Sequence, residues 1–154
     1  MTISGGCNCG AVRYQLSSDP LYIHVCHCKQ CQRSSGGAFN VSMVVLVESF
    51  SFIDCSPDTH FVSGPTGNKY EAWSCDQCAC TIGGRTVEPT KTMVLRPGTL
   101  DQANDLQPQA HIWVSEKQAW VVIPEDIPSF SENYEAESTW PKSSLARLQQ
   151  AQTL

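Results

Sequence analysis

The sequence predicts a mainly β, single-domain protein that ends in a short helical tail. Three observations carry this reading. The chain has 154 residues, which fits one domain and one core. Ten Gly and nine Pro supply the many turns that short strands need. Eight of the nine cysteines fall into three tight clusters, set between apolar runs of strand length.

The elements follow in order. Cys7-Asn8-Cys9 opens the chain as the first cluster. Ala11 to Leu16 alternates apolar and polar residues, as a half-buried strand does. Asp19-Pro20 breaks it, and Tyr22 to Val25 leads into the second cluster, Cys26-His27-Cys28-Lys29-Gln30-Cys31. A helical turn is expected over Gln30 to Ser34, ended by Gly36-Gly37. Ala38 to Val47 is rich in β-branched residues and predicts a buried strand. Phe50 to Ile53 and His60 to Val62 predict two short strands. Gly64-Pro65 and Gly67-Asn68 mark a turn, and Lys69 to Ser74 is a strand that delivers the third cluster, Cys75-Asp76-Gln77-Cys78-Ala79-Cys80. Beyond Gly83-Gly84, strands are expected at Thr92 to Leu95, His111 to Val114 and Trp120 to Val122, with a turn at Arg96-Pro97-Gly98. Helix is expected from Ser143 to Gln152, where Leu145 and Leu148 share a face. Trp73 and Phe39 are assigned to the core.

Composition narrows the partners. Hydrophobic residues make up 41% and charged residues 16%, an ordinary globular balance. The formal net charge is -5 and there is no Lys/Arg run, so no nucleic-acid partner is expected. Met1 to Gly10 lacks the basic start and apolar centre of a secretion signal. No apolar stretch approaches the roughly 20 residues of a membrane span. A cytoplasmic location away from membranes is the expectation, and there clustered thiols stay reduced and bind metal more readily than they form disulfides.

Zinc suits these clusters. It takes a tetrahedron of deprotonated soft ligands, with sulfur at about 2.3 Å. A CxxC turn brings two thiolates together. In a CxC segment, residues two apart share a face, so Cys7 and Cys9 can aim at one ion. Two such pairs from distant parts of the chain would close a four-sulfur site. An odd cysteine count fits a disulfide framework badly. A thioredoxin-type redox site needs a βαβ context that neither CxxC has. An iron–sulfur cluster, which also takes four cysteines, is compatible with the same spacing. His27 alternates away from the face that Cys26 and Cys28 would share, and His111 with Trp113 is expected to pack within a strand. Cys55 stands alone in a loop as a half-buried structural thiol.

The residues Gly6-Cys7-x-Cys9-Gly10-Ala11-Val12-Arg13-Tyr14, then Cys26-His27-Cys28-x-x-Cys31-Gln32-Arg33-Ser34-Ser35-Gly36, then Cys75-x-x-Cys78, resemble the glutathione-dependent formaldehyde-activating enzyme family. That family includes the core domain of centromere protein V. Pro97-Gly98-Thr99-Leu100-Asp101 and His111-Ile112-Trp113-Val114 extend the likeness, which runs over about residues 4 to 130, with 131–154 as the tail. The resemblance implies a zinc-bound β-tent. It implies a structural zinc on Cys7, Cys9, Cys75 and Cys78, and a catalytic zinc on Cys26, Cys28 and Cys31 with its fourth position open. Where the family commonly has Gly after the third cluster's CxxC, this chain has Ala79, and Cys80 is an extra thiol that either competes with Cys78 or is buried.

Four sulfurs saturate a tetrahedral ion, and three leave a place for substrate. The family resemblance implies carbon–sulfur lyase chemistry, expected at the open site, with glutathione or a similar small thiol as partner and S-hydroxymethylglutathione as product or substrate. Arg33, Ser35 and Gly36 follow that site and are candidates to bind a glutathione carboxylate. Two other classes stay open: a non-catalytic zinc-knuckle binding module and a zinc-handling protein.

Overall fold

The computed structural model describes residues 2–54, 56–104 and 106–153, so the reading of Cys55 lies outside the described residues. In chain order the elements are β1 (Ile3–Gly6), β2 (Arg13–Leu16), β3 (Tyr22–Cys26), α1 (Lys29–Ser35), β4 (Asn40–Leu46), β5 (Phe50–Phe52), β6 (Asp58–Ser63), β7 (Lys69–Ser74), β8 (Thr81–Thr86), β9 (Thr92–Leu95), β10 (Ala110–Ile112), α2 (Ala136–Thr139) and α3 (Lys142–Gln152). The architecture is mainly β with a short C-terminal helix, as the patterning predicts.

The strands make two sheets. A three-stranded sheet runs β1-β2-β5, and a seven-stranded sheet runs β10-β3-β4-β9-β8-β7-β6. Pairing is antiparallel except between β10 and β3. The small sheet packs Tyr14 and Leu16 against one face of the large sheet, where Ile23, Met43, Val45, Ile82 and Leu95 complete the core. The intervening polar residue Gln15 points out, which is the period-two pattern read in the sequence.

Strand β4 is buried on both faces, which is why its sequence is almost continuously apolar. Met43 and Val45 face the small sheet. Val44 and Leu46 face the opposite way and join Leu21, Tyr22, Ala110 and the C-terminal residues Trp140, Leu148 and Ala151. The tail is thus packed onto the sheet. Ser144 donates to the Leu21 carbonyl at 2.6 Å, which fixes the start of α3.

Some expectations need correction. Strand β8 runs straight through Gly83-Gly84. A Cβ there would sit 2.2 Å from the Val94 carbonyl at Gly83 and 2.4 Å from the Glu71 carbonyl at Gly84, so neighbouring strands approach too closely for any other residue. Strand β1 precedes the first cluster and was not expected either. Trp120 to Val122 forms no strand. The edge beyond β10 is already occupied: His111 donates to the Pro128 carbonyl and accepts from the Phe130 amide, both at 2.9 Å. Trp113 ends β10 early because its φ is 56°. Trp73 is a core residue, but Phe39 is 37% exposed and touches the His27 ring from outside.

Candidate metal centres

Two hairpin turns bring the first four cysteines together. Cys7 and Cys9 lie in the turn from β1 to β2, and Cys75 and Cys78 in the turn from β7 to β8. Both turns are closed by backbone. The Cys7 amide donates to the Val12 carbonyl at 2.9 Å, and the Cys75 amide donates to the Cys80 carbonyl at 3.0 Å. The four sulfurs lie within 4.8 Å of one another. Cys7 Sγ is 3.5 Å from Cys9 Sγ, and Cys9 Sγ is 3.6 Å from Cys75 Sγ. A disulfide would be near 2.05 Å. A tetrahedron with sulfur at about 2.3 Å has edges of about 3.8 Å, so these spacings suit a metal ion. Burial opposes ionisation of Cys7, but the Val12 amide and the neighbouring thiols bring it down to about 6. A closed site here would tie the small sheet to the large one.

Cys26, Cys28 and Cys31 form the second group, also within 4.8 Å of one another. Cys26 ends β3. Cys28 caps α1, and its Sγ accepts from the Cys31 amide at 3.4 Å. Cys31 lies one turn into that helix. The segment is anchored from behind: Gln32 Nε2 donates to the carbonyls of His27 at 2.6 Å and Glu116 at 2.9 Å, and the His27 amide donates to the Ile112 carbonyl at 3.0 Å. Left to themselves these thiols are unequal. The hydrogen bond from Cys26, with help from Cys28 and the Arg96 charge, brings Cys31 down to about 7 against its burial. The same partner, Cys31, and burial push Cys26 up. Both groups offer the all-sulfur donor set that a thiophilic ion such as zinc takes. No other group of three such ligands occurs among the described residues.

His27 is not part of this group. It is fully buried and aims its Nε2 at His111 Nδ1, 2.9 Å away. Cys80 stays outside the four-sulfur group, partly buried against the core.

The three-cysteine group opens onto a cavity of about 550 Å³ along the face of the large sheet opposite the core. Cross-strand register explains the lining. Cys26 pairs with Asn40 and His24 with Ser42, so all four face the same way. His24 is buried, held by Tyr134 Oη at 2.9 Å from its Nδ1, and kept neutral because burial lowers it to about 4. Arg96 projects into the cavity, where Nη1 donates to Asn40 Oδ1 and Nη2 donates to Ser34 Oγ at 3.3 Å.

The sequence-predicted candidates Arg33, Ser35 and Gly36 are exposed and do not line the cavity; Ser34 does. The guanidinium in the cavity is Arg96, which sequence reading placed only in a turn. It lies 62 residues from Ser34 and 56 from Asn40, a distance no local motif spans. The available signal is strand alternation: Arg96 follows β9 and continues the face of Val94 rather than that of buried Leu95.

Comparison with known proteins bears on the family and the fold. The sequence profile of the glutathione-dependent formaldehyde-activating enzyme family matches residues 2–116. A crystal structure of a Rhodobacter sphaeroides protein superposes with a TM-score of 0.51 at 16% identity, covering 66% of this chain and 91% of that one. It supports the fold. No curated protein matches the sequence. The chain belongs to the glutathione-dependent formaldehyde-activating enzyme family.

Proposed function

We propose that this protein is a zinc-dependent carbon–sulfur lyase of the cytoplasm, acting on a small thiol adduct of the S-hydroxymethylglutathione type. The observation that carries the reading is the inequality of the two cysteine groups. One has four converging sulfurs. The other has three, at the edge of a cavity large enough for a small molecule. Cys26, Cys28 and Cys31 would hold the zinc, which when bound would supply Lewis acidity to a substrate thiol.

The chain's own groups account for the rest. Arg96 replaces Arg33 as the group that receives a substrate carboxylate, because its guanidinium is inside the cavity and held in place by Asn40 and Ser34. Asn40 Nδ2 donates to Ser42 Oγ at 3.2 Å, so the amide is oriented on both sides. Neutral His24 adds a polar wall without a charge that would compete for the thiolate. Tyr134 fixes His24 from the tail.

The test is metal content and turnover on protein purified under reducing conditions. Two zinc ions per chain and thiol-dependent release of aldehyde are expected. Fully zinc-loaded protein with neither aldehyde turnover nor a zinc-bound substrate thiol by X-ray absorption would sink the reading.

A further inference from the structure

Resting on the reading that a substrate thiol binds at the three-cysteine group, the walls of the adjoining cavity define what else that substrate carries. Among the described lining residues one side chain bears a fixed charge, Arg96. There is no Asp, Glu or Lys. Much of the remaining surface is apolar: Val62, Tyr70 and Ala72 from β6 and β7, Val94 from β9, and Ile112 and Trp113 at the other side. Register supports this placement. Val62 pairs with Tyr70 across β6 and β7, and Ala72, two residues on from Tyr70, shares its face.

Glutathione carries two carboxylates and an ammonium group. Arg96 can meet one carboxylate. Its guanidinium has five donors, and the bonds to Asn40 and Ser34 use two of them. The second carboxylate and the ammonium would meet only uncharged side chains, apolar ones and polar ones such as Gln30, Thr66 and Asn133, with no Asp, Glu or Lys as counter-charge. A charge taken out of water without a partner is strongly disfavoured. An apolar body in the same place would instead remove the faces of Val94, Ile112 and Trp113 from water, which is favourable.

We infer that this cavity selects a thiol with one carboxylate on an apolar body, in preference to glutathione. The carboxylate sits on Arg96, the sulfur reaches the Cys26, Cys28 and Cys31 group, and the apolar part lies along the sheet face. Asn133, beyond the family-matched residues, contributes to the same wall, so this selectivity is partly built from the chain's own tail.

The experiment uses the intact chain loaded with cobalt(II), whose thiolate bands report a newly bound sulfur. Three thiols are titrated: 2-mercapto-3-phenylpropanoate, its carboxamide, and glutathione. The carboxylate is expected to bind at least tenfold more tightly than either of the others. In Arg96→Gln the advantage of carboxylate over carboxamide should disappear. The ligand comparison is made on the unaltered chain, so it stands even if that variant folds poorly. Calorimetry on zinc-loaded protein with 3-phenylpropanoate, which has no thiol, should show binding that the amide lacks. If all three thiols shift the cobalt bands and glutathione binds as tightly as the aromatic carboxylate, the lyase reading stands and this inference fails. If none shifts them, thiol exchange at that site fails, and the inference with it.

Discussion

His27 Nε2 lies 2.9 Å from His111 Nδ1, with the two rings stacked at 5.2 Å between centroids. His27 sits between Cys26 and Cys28, and His111 lies on β10, beside the strand that ends in Cys26. The pair therefore clamps the three-cysteine segment to the edge of the sheet. Burial lowers both imidazoles, His27 to about 4, so the bond joins two neutral rings. His111→Phe keeps the ring stack and removes the acceptor or donor. It leaves His27 Nε2 buried without a partner, at a cost of about 1–3 kcal/mol. Urea unfolding of zinc-loaded protein measures this. A His111→Phe protein as stable as the parent would show that the hydrogen bond contributes nothing.

The two cysteine groups should respond differently to loss of one ligand. Cys75→Ser removes one thiol from the four-cysteine group between the two sheets, where bound metal would add to the folding free energy. Its expected result is loss of one zinc with a large fall in Tm or insoluble protein. Cys31→Ser removes one thiol of the three-cysteine group from a surface helix of seven residues. Its expected result is zinc falling from two to one per chain, aldehyde turnover lost, and Tm changed by only a few degrees. Metal analysis and thermal melting on both variants separate the roles. Equal destabilisation by the two substitutions would contradict the division into a structural and an open site.

How much of this was legible depends on range. The spacings within each cysteine cluster are local and mark candidate metal ligands, whereas the joining of Cys7 and Cys9 to Cys75 and Cys78, across 66 positions, followed from the family resemblance and not from spacing. Strand β4 was legible because burial on both faces leaves an unbroken apolar run. Strand β8 was not, since Gly83-Gly84 reads as a break while in the fold it answers close approach by Val94 and Glu71 backbone. Arg96 was not, because its meaning comes from β9 lying next to β4, which places it beside Asn40. His111 was read correctly as a packed residue, but its partner His27 is 84 positions away and no pattern joins them. Short-range chemistry shows in a sequence; pairing across a sheet shows only once the sheet exists.

Ala79 illustrates a departure whose effect can be measured. It has φ 56°, in the left-handed region where a Cβ is disfavoured, and its amide donates to the Cys75 carbonyl at 2.9 Å to close the turn that carries Cys75 and Cys78. The resembling family commonly has Gly at this position. Ala79→Gly should relieve the strain, partly offset by the greater freedom of glycine in the unfolded chain. The net expectation is a gain of about 0.5–1 kcal/mol, read as a Tm higher by about 1–4 °C. A lower Tm would mean that the added freedom of glycine in the unfolded chain outweighs the strain at Ala79.

Arg13 and Asp101 predict a defined response to acid. Arg13 Nη1 and Nη2 donate to the two oxygens of Asp101 at 2.9 and 2.5 Å. The contact links β2 to the segment after β9, as does Tyr14 Oη with Thr99 Oγ1 at 2.8 Å, while the Asp101 amide ties the same segment to β1 through the Ser4 carbonyl at 3.0 Å. The hydrogen bond from Arg13 holds the Asp101 carboxyl below its ordinary value. A depressed carboxylate stabilises the fold fully above its unfolded pKa, and that contribution is lost as pH falls through the folded one. Both side chains are more than a third exposed, so solvent screening keeps the increment below about 1 kcal/mol. Asp101→Asn should therefore cost that small amount at pH 7 and nothing at acid pH, where the parent's Asp101 is protonated too. Denaturation curves of the two proteins should converge as pH drops below about 4, and they should converge at neutral pH in high salt. A constant gap across both series would assign the effect to packing rather than to charge.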